Sequence, residues 1–398
     1  MISVKKAKRM VSQMAHVHKK KIVAVSLLNC VGKTLARPIK TKCASPPFNQ
    51  SAMDGYAVCL SGKVAPISFK VVQQEIKAGE EKLPKLKYGE AARIFTGAPV
   101  PKGADIVVPQ EFVLVNETEN TITFQLEKFK IQDNIRLKGE QFKKHEIILK
   151  RGEKLSPANI ALAATGGIEK LEVYATPVVT IISSGNELCK PGVELTAGQV
   201  YDSNSYMLAS LLQKLGMQIS DILYLKDNEQ RTLKAIEKAV KSSDVLLISG
   251  GISVGKYDLM KRCLDKLKTK TIFYKINQKP GKPLYFGKNK ATHVFGLPGN
   301  PAASLTCFYE YVKPFLEKIS GSVEASTVSR KEKLLNNYSK KKGLTYFMKG
   351  FINEHGVEIL KDQESFKLTS FSKANCIVVG QEDVDQLHIG EMVECHLL

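Results

Sequence analysis

The segment at residues 244–258 reads Asp-Val-Leu-Leu-Ile-Ser-Gly-Gly-Ile-Ser-Val-Gly-Lys-Tyr-Asp and combines features of three kinds of chemical site. An apolar run ends in Gly250 and Gly251, and the carboxylate of Asp258 follows shortly after. The spacing from Gly250 to Lys256 is typical of the loop with which ATPases bind phosphate. Ser253, lying between two glycines, is typical instead of the turn that presents the nucleophile of serine hydrolases.

Two of these three interpretations lack a required partner. An ATPase loop needs Ser or Thr after its lysine to hold Mg²⁺, and Tyr257 takes that place. A hydrolase needs a downstream acid and histidine, and none of the four later histidines lies in an obvious active-site loop. The remaining interpretation is a glycine turn whose amides approach an anion. Asp258 then either holds a cation beside that anion or serves only as a helix cap.

Other segments that follow predicted strands carry similar groups. Ser184-Gly-Asn-Glu187 supplies hydroxyl, amide and carboxylate groups, and Leu297-Pro-Gly-Asn-Pro301 is a rigid turn into a helix whose first amides we expect to be free. Lys275, Lys279 and Lys282 add cations on a stiff Pro-Gly loop. Each segment alone is more often solvated surface. Together at one sheet edge they would form a pocket for a polyanion and a metal.

Two further turns occur in a β-like region. Asp54 follows the proline-broken loop at residues 43–51, and Thr96 lies where a strand runs into a Pro-Gly loop at residues 97–103. From the residues alone, both are more often structural turns than sites.

The elements that must position these residues alternate between strand and helix after about residue 171. We predict strands at 178–183, 219–225, 245–249, 271–276 and 292–296, and helices at 205–215, 229–241, 257–267 and 300–319. Strands joined by helical crossovers predict a parallel sheet that is covered on both faces. Its ligands are expected at the carboxyl ends of the strands.

The rest of the chain is organised differently. Spaced apolar residues from Val4 to Met14 predict an amphipathic first helix, and Ser156-Pro157 predicts the start of a short helix that ends at Gly166-Gly167. Short β-like segments fill residues 53–129 and return after 322. We therefore predict a multidomain α/β plus β protein. Its parts are an elongated linking region at 1–45 and 135–170, a β-rich inserted domain at 46–134, an α/β domain at 171–321, and a small barrel-like C-terminal β domain at 322–398.

Composition narrows the class of function. With 43% hydrophobic and 25% charged residues, no apolar run long enough for a membrane helix and no signal-peptide pattern, we expect a cytoplasmic protein without a membrane partner. The eight cysteines form no C-x-x-C pair, which indicates reduced thiols rather than disulfides or zinc ligands. The net charge of +20 favours an acidic partner. Because the excess is spread thinly and lacks interleaved aromatics, an anionic small ligand is favoured over nucleic acid.

Taken together, these segments resemble the MoeA/gephyrin family of molybdopterin molybdotransferases over nearly the full length and in the family's order. The matching pieces lie at residues 48–57, 95–98 with 107–111, 184–188, 249–258, 279–283 and 296–301. Any one piece is weak evidence, whereas six in order are highly specific. The resemblance implies a MogA-like central α/β domain.

The resemblance also implies an activity and a set of site residues. Molybdate would enter adenylylated molybdopterin with release of AMP, in the presence of Mg²⁺, in a homodimer whose site joins the α/β domain of one subunit to Asp54 and Thr96 of the other. The implied catalytic residues are Asp54, Glu187, Asp227, Asp258, Lys275 and Lys279, and the implied metal-handling acids among them are Asp54, Glu187 and Asp258. The implied substrate-binding residues are Thr96, Ser184, Gly250, Gly251, Ser253, Lys282, Pro298, Gly299, Asn300, Pro301 and Ser370.

The chain departs from the family's pattern at several positions. Asn186 and Gln141 replace acids, and Leu344 and Lys349 stand near where the family has arginines. The missing arginine equivalent at Leu344 predicts the loss of one oxyanion contact, and Lys349 offers charge without the bidentate fork of an arginine. The alternative to an enzyme is a pterin-binding scaffold or carrier of the same fold. Transient contact with other molybdenum cofactor proteins is a further expectation.

Overall fold

A computed structural model of the chain describes residues 1–60, 68–251, 259–323 and 328–398. Its centre is a six-stranded sheet in which the first four strands are parallel, and the last two form an antiparallel extension. In spatial order the strands are Gln218–Leu225, Val178–Ser184, Val245–Ser249, Thr292–Leu297, Tyr285–Asn289 and Lys270–Tyr274. The predicted parallel sheet is confirmed. The strand Tyr285–Asn289 was not predicted, because Gly287 and Lys288 interrupt its short apolar run.

The helices fall close to their predicted positions. Their bounds are α1 Val4–His16, α2 Pro157–Thr165, α3 Asn204–Lys214, α4 Glu229–Ser242, α5 Leu259–Lys266, α6 Pro301–Cys307, α7 Lys313–Ile319 and α8 Leu368–Phe371. Ser156 caps α2 through a reciprocal bond with Asn159, as its Ser-Pro start predicts. A π-helical turn, Phe308–Val312, joins α6 to α7, so the predicted helix at 300–319 is continuous but contains one widened turn.

Helices cover both faces of the central sheet, because successive strand residues point to opposite sides. Val245 and Leu247 pack in one core with residues of α1, α3, α6 and α7. Leu246 and Ile248 pack in the other core with residues of α4 and α5. This arrangement leaves the ends of the parallel strands as the place where loops can gather.

The β-rich region holds a second six-stranded sheet. Its strands are Ile106–Pro109, Gly55–Val58, Glu90–Ile94, Phe69–Val71, Thr121–Thr123 and Leu114–Asn116, in that spatial order. Short 3₁₀ turns at Gln110–Phe112 and Leu126–Lys128 are the helical pieces described there. The prediction of strands without an α-helix is therefore confirmed for the described residues between 53 and 129.

The C-terminal region forms a third sheet. Its strands are Thr345–Asn353, Cys376–Gly380, Met392–Leu397 and Ser329–Lys333, with Gly356–Ile359 paired to the first of them. The edge strand of this sheet, Gln278–Lys279, comes from the α/β region and runs parallel to Thr345–Tyr346. Backbone hydrogen bonds therefore join the two regions.

Short antiparallel pairs connect the regions along the linking segments. They are Ile22–Ser26 with Lys170–Tyr174, Ile39–Lys40 with Ile147–Leu149, and Gln50–Ser51 with Ile135–Arg136. Smaller pairs are Leu188–Cys189 with Val200–Tyr201 and Tyr338–Ser339 with Gln386–Leu387. Among the described residues, no helix has both the length and the apolar character needed to cross a bilayer.

Candidate active site

The two glycines that follow the strand Val245–Ser249 lie against Ser184, at the end of the neighbouring strand. Both have left-handed backbones, with φ of +81° at Gly250 and +67° at Gly251. A Cβ at Gly250 would lie 2.3 Å from the carbonyl oxygen of Ser184, and one at Gly251 would lie 2.8 Å from Cγ of Met260. Conformation and space therefore both require glycine here.

The turn at residues 297–301 lies close to these two glycines. A Cβ built on Gly299 would lie 4.0 Å from Cα of Gly250. Asn204, in the first turn of α3, is buried and binds both loops. Its Nδ2 donates to Oγ of Ser249 at 2.8 Å and to the carbonyl of Gly299 at 2.7 Å. We call this group (Ser184, Asn204, Ser249, Gly250, Gly251 and Gly299) the cradle.

The sequence did not predict Asn204. Asp202-Ser203-Asn204 at a helix start is typical of a capping cluster, and Asp202 does accept hydrogen bonds from Ser205. No local pattern shows that the Asn204 amide instead reaches two distant loops.

Two buried polar atoms of the cradle, Oγ of Ser184 and Oδ1 of Asn204, have no hydrogen-bond partner among the described residues. The same is true of Oγ of Ser183, the residue just before the cradle. Buried polar atoms normally find partners, so these atoms suit a polar ligand. Ser253 and Asp258 lie outside the described residues, and their roles stay predictions.

The second group pairs Asp54 with Thr96 in the β-rich region. Oδ1 of Asp54 accepts from the backbone amide and from the hydroxyl of Thr96, each at 2.7 Å. These two hydrogen bonds, with a smaller contribution from Arg93, hold the pKa of the Asp54 carboxyl below its ordinary value. Asp54 is therefore an exposed, ionised carboxylate. No hydrogen bond or ion pair in the described part of this chain joins it to the cradle.

Glu187 and Asp227 lie on neighbouring loops that Asn186 ties together. Oδ1 of Asn186 accepts from the amide of Asp227 at 3.0 Å, and its carbonyl accepts from Nζ of Lys226 at 3.1 Å. A Cβ at Gly185 would lie 2.5 Å from Oε1 of Glu187, so that carboxylate folds back over the loop. Both acids are exposed at the carboxyl ends of their strands, and Asn186 has a structural role of its own.

The predicted lysine loop is held from beneath by a buried glutamine. Nε2 of Gln278 donates to the carbonyls of Pro280 and Gly281 at 3.0 and 3.2 Å, and its Oε1 accepts from the hydroxyl of Tyr311. Lys279 places its ammonium 5.4 Å from the ring centre of Tyr346. Gln278 and Tyr311 were not predicted, because nothing in the local sequence marks them.

Lys275 and Lys282 flank this loop. Lys275 adopts a left-handed backbone, with φ of +71°, and its ammonium lies 5.3 Å from the ring centre of Tyr274. Lys282 is exposed, and its carbonyl accepts from the amide of Ile276 at 3.0 Å. The three predicted lysines therefore surround one ordered loop.

A cleft of about 710 Å³ lies beside this loop and is lined mainly by the C-terminal region. Lys279, Tyr346, Glu364 and Ser365 are among its lining residues. Ser365 also contacts the start of α6. Its carbonyl accepts from the amide of Ala303 at 3.1 Å, and its hydroxyl accepts from Nδ2 of Asn300 at 2.7 Å. The expectation that the first amides of this helix are all free is therefore wrong for Ala303.

Lys349 and Ser370 also donate hydrogen bonds to the loop that lines this cleft. Nζ of Lys349 donates to the carbonyls of Asp362, Glu364 and Lys367, and burial lowers its pKa. Oγ of Ser370 donates to the carbonyl of Asp362 at 2.7 Å. Lys349 is thus a buried support for the loop. Leu344 packs against the core of the C-terminal sheet.

Within the described residues, no group of three or more His, Cys, Asp or Glu side chains is arranged to hold a metal ion. Asp54 and Glu187 are exposed carboxylates of the kind that Mg²⁺ prefers. The third predicted metal-handling acid, Asp258, lies outside those residues.

The fold and the cradle define a multidomain α/β protein with unpartnered buried polar atoms where parallel strands of its central sheet end, the place where such folds bind ligands. Three family models match successive parts of the chain. They are the MoeA N-terminal region (domain I and II) at residues 2–167, a probable molybdopterin binding domain at 180–318, and the MoeA C-terminal region (domain IV) at 331–398.

Full-length relatives agree. A molybdopterin molybdenumtransferase of Haemophilus influenzae is 36% identical over 375 residues, which cover 93% of this chain and 92% of the relative. One from Staphylococcus epidermidis is 31% identical over 95% of this chain and 91% of its own. The crystal structure of the molybdopterin biosynthesis MoeA protein of Pyrococcus horikoshii superposes with a TM-score of 0.84 at 31% identity, covering 100% of this chain and 99% of that one. The chain belongs to the MoeA family, as the sequence resemblance predicted.

Proposed function

We propose that this chain is a molybdopterin molybdenumtransferase that inserts molybdate into adenylylated molybdopterin and releases AMP, in the biosynthesis of the molybdenum cofactor. The observation that carries the proposal is the cradle, which leaves buried polar atoms of Ser184 and Asn204 facing two glycine turns. Its relatives with near-complete overlap bear the name of this activity.

The cradle and the turn at Pro298, Gly299, Asn300 and Pro301 would hold the pterin phosphate through backbone amides and through the hydroxyls of Ser184 and Ser253. Lys275, Lys279 and Lys282 would neutralise the anionic ligands from the loop that Gln278 supports. Molybdate would bind in the 710 Å³ cleft, beside Ser370 and the loop at 362–367. Preorganised cations and dipoles of this kind favour a step in which negative charge moves to a leaving phosphate.

Mg²⁺ would be held by Asp54, Glu187 and Asp258, with Asp227 beside them, and it would supply charge neutralisation for the departing AMP. Asp54 suits this role because Thr96 orients its carboxylate and favours its ionised form. Retention of these acids and of Lys275 and Lys279 supports an enzyme over an inert scaffold.

The active assembly would be a homodimer in which Asp54 and Thr96 of one subunit face the cradle of the other. We place it in the cytoplasm, with small-molecule ligands, with transient contacts to other proteins of the pathway, and without nucleic acid or membrane partners. The domain bounds 1–45 with 135–170, 46–134, 171–321 and 322–398 belong to the same proposal.

The decisive experiment supplies purified protein with adenylylated molybdopterin, Mg²⁺ and molybdate, and measures AMP release with and without molybdate. The enzyme should release AMP in a molybdate-dependent way, and Asp258→Ala should abolish release while keeping the fold. Release that ignores molybdate, or no release at all from a protein that binds the pterin, would favour the scaffold.

A further inference from the structure

A second cleft lies at the end of the central sheet opposite the cradle. Its volume is about 230 Å³, and Lys33, Lys154, Thr176, Lys214 and Met217 are among its lining residues. Thr176 and Met217 come just before the strands Val178–Ser184 and Gln218–Leu225. The cleft therefore lies between the linking region and the base of the α/β region, and we call it the basal cleft.

Cations surround the basal cleft. Lys33, Lys154 and Lys214 line it, and Nζ of Lys33 donates to the hydroxyl of Thr176 at 3.1 Å. Two more cations contact Tyr174, which also lines the cleft. The ammonium of Lys20 lies 5.5 Å from its ring centre, and Nε of Arg151 donates to its hydroxyl at 2.8 Å.

These charges are poorly neutralised. Among residues 1–60, 68–251, 259–323 and 328–398, no ion pair joins any of these five cations to a carboxylate. Burial and the neighbouring charge of Arg151 lower the pKa of Lys20. Burial raises the pKa of the Glu317 carboxyl, and the nearby charge of Lys154 partly offsets that rise. The described lining of the basal cleft thus includes three lysines and no carboxylate.

Capping of a helix end does not account for these lysines. The helix α3 ends beside the cleft, and cations often bind the last carbonyls of a helix. Here the carbonyls of Leu211, Leu212 and Gln213 already accept from the backbone amides of Leu215, Met217 and Gly216. Lys214 and its neighbours are thus available to a ligand.

We propose that the basal cleft binds a phosphate-class anion, either inorganic phosphate or pyrophosphate, that bridges Lys33 and Lys154 of the linking region and Lys214 of α3. The cleft is smaller than the roughly 300–1,000 Å³ of pockets for drug-sized ligands, so a small oxyanion suits it. Such an anion stabilises the contact between the two regions, because it binds only where both are in place. The inference does not depend on the proposed transferase activity.

The test is calorimetric titration of the full chain with phosphate and, separately, with pyrophosphate, which distinguishes the two ligands. Because we also propose a phosphate-binding role for the cradle, hydrogen–deuterium exchange is used to locate the anion. We expect protection at residues 174–176 and 213–217. Lys33→Gln/Lys154→Gln should weaken binding by at least about tenfold, as expected for loss of charge-assisted hydrogen bonds.

Two further variants make the result decisive. Lys154→Gln/Lys214→Gln changes only exposed side chains, so it tests the site without a packing change, and it should weaken binding similarly. Lys143→Gln/Lys144→Gln removes the same charge from exposed positions elsewhere in the linking region and should leave the affinity within about twofold, since distant exposed charges are screened. Three outcomes would each overturn the proposal. All variants could bind the anion equally well, the wild type could fail to bind it, or protection could be confined to residues 249–251 and 297–301.

Discussion

Glu310, in the π-helical turn between α6 and α7, is fully buried and lies 2.7 Å from Nδ1 of His396 on the last strand of the C-terminal sheet. Its other carboxylate oxygen accepts from Nζ of Lys8 in α1 at 2.5 Å. One carboxylate therefore joins the first helix, the α/β region and the C-terminal region.

This ion cluster should contribute to stability in a pH-dependent way. Burial alone would raise the pKa of Glu310, but the hydrogen bond from His396 and the charge of Lys8 hold it below the ordinary 4.5. Its contribution is then present above pH 4.5 and is lost as the pH falls through the folded-state value. Glu310→Gln should cost about 3–5 kcal/mol at neutral pH, with the difference narrowing in acid, as measured by urea unfolding.

The control for Glu310 is Glu237→Gln, which breaks an exposed ion pair with Lys241 within α4. That change should cost less than about 0.5 kcal/mol. A Glu310→Gln protein as stable as the control would show that the cluster contributes little.

His293 should make the protein sensitive to mild acid. Its ring is buried against Phe286 and Phe315, neither ring nitrogen has a hydrogen-bond partner among the described residues, and burial lowers its pKa to about 3. Between pH 6.5 and pH 3 the unfolded chain takes up a proton at His293 that the folded chain does not. Stability should therefore fall with pH by up to about 1.4 kcal/mol per unit from this residue.

Replacing His293 with Leu should flatten this part of the stability profile, measured by unfolding at several values between pH 4 and pH 7. His355→Leu, at an exposed histidine, should leave the slope unchanged. An unaltered slope in His293→Leu would mean that the acid sensitivity arises elsewhere.

Gly250→Ala tests the packing of the cradle against a matched glycine. Gly198 has nearly the same backbone, with φ of +83° against +81°, but a Cβ there would meet nothing within 4 Å. Both substitutions should lower the free energy of unfolding by roughly 1–2 kcal/mol, because alanine is strained in a left-handed backbone. Only Gly250→Ala adds the collision with Ser184, so it alone should also weaken binding of the pterin substrate, measured by titration.

Asn204→Ala should raise KM for adenylylated molybdopterin more than it lowers kcat, because it frees the two loops of the cradle without removing a charged group. The loss of both hydrogen bonds should also cost about 1–3 kcal/mol of stability. Asn228→Ala, which removes the cap of α4, should cost about 1 kcal/mol without changing KM. A rise in KM for both variants would indicate a general loosening of the domain.

Subunit mixing tests the shared site. If Asp54 and Asp258 of one site come from different subunits, Asp54→Ala and Asp258→Ala are each inactive alone. Co-expression should then restore roughly a quarter of wild-type AMP release, since half of the dimers are mixed and each has one intact site. No recovery from verified mixed dimers would place both acids in one subunit.

The four parallel strands of the central sheet were predictable because buried runs such as Val245–Ser249 and Val178–Ser184 end at glycine-containing turns. Local composition determines such elements. The widened turn at Phe308–Val312 was not predicted, although Pro314 lies just after it and cannot donate a helical hydrogen bond. Glu310 and Tyr311, which lie in this turn, also bind partners that are distant in sequence.

The same division holds for the site. The glycine pair Gly250-Gly251 and the lysine loop around Pro280 follow from short motifs, each of which is continuous in sequence. The support from Asn204, Gln278 and Ser365 does not. Asn204 and Ser365 bind partners that only folding brings near, and Gln278 joins its own loop to the distant Tyr311. A single amide or hydroxyl of this kind carries no periodic pattern. The supporting residues were thus harder to predict than the residues they support.

The strand Gln278–Lys279 also constrains the order of events during synthesis. It is made before Thr345–Asn353, the strand it pairs with, so this two-residue segment has no strand partner until the C-terminal region is made. Two residues are too few to recruit another chain efficiently, and Lys279 places a charge on that segment. In the nascent protein, the backbone groups of Gln278 and Lys279 therefore become paired only after the C-terminal region has been synthesised.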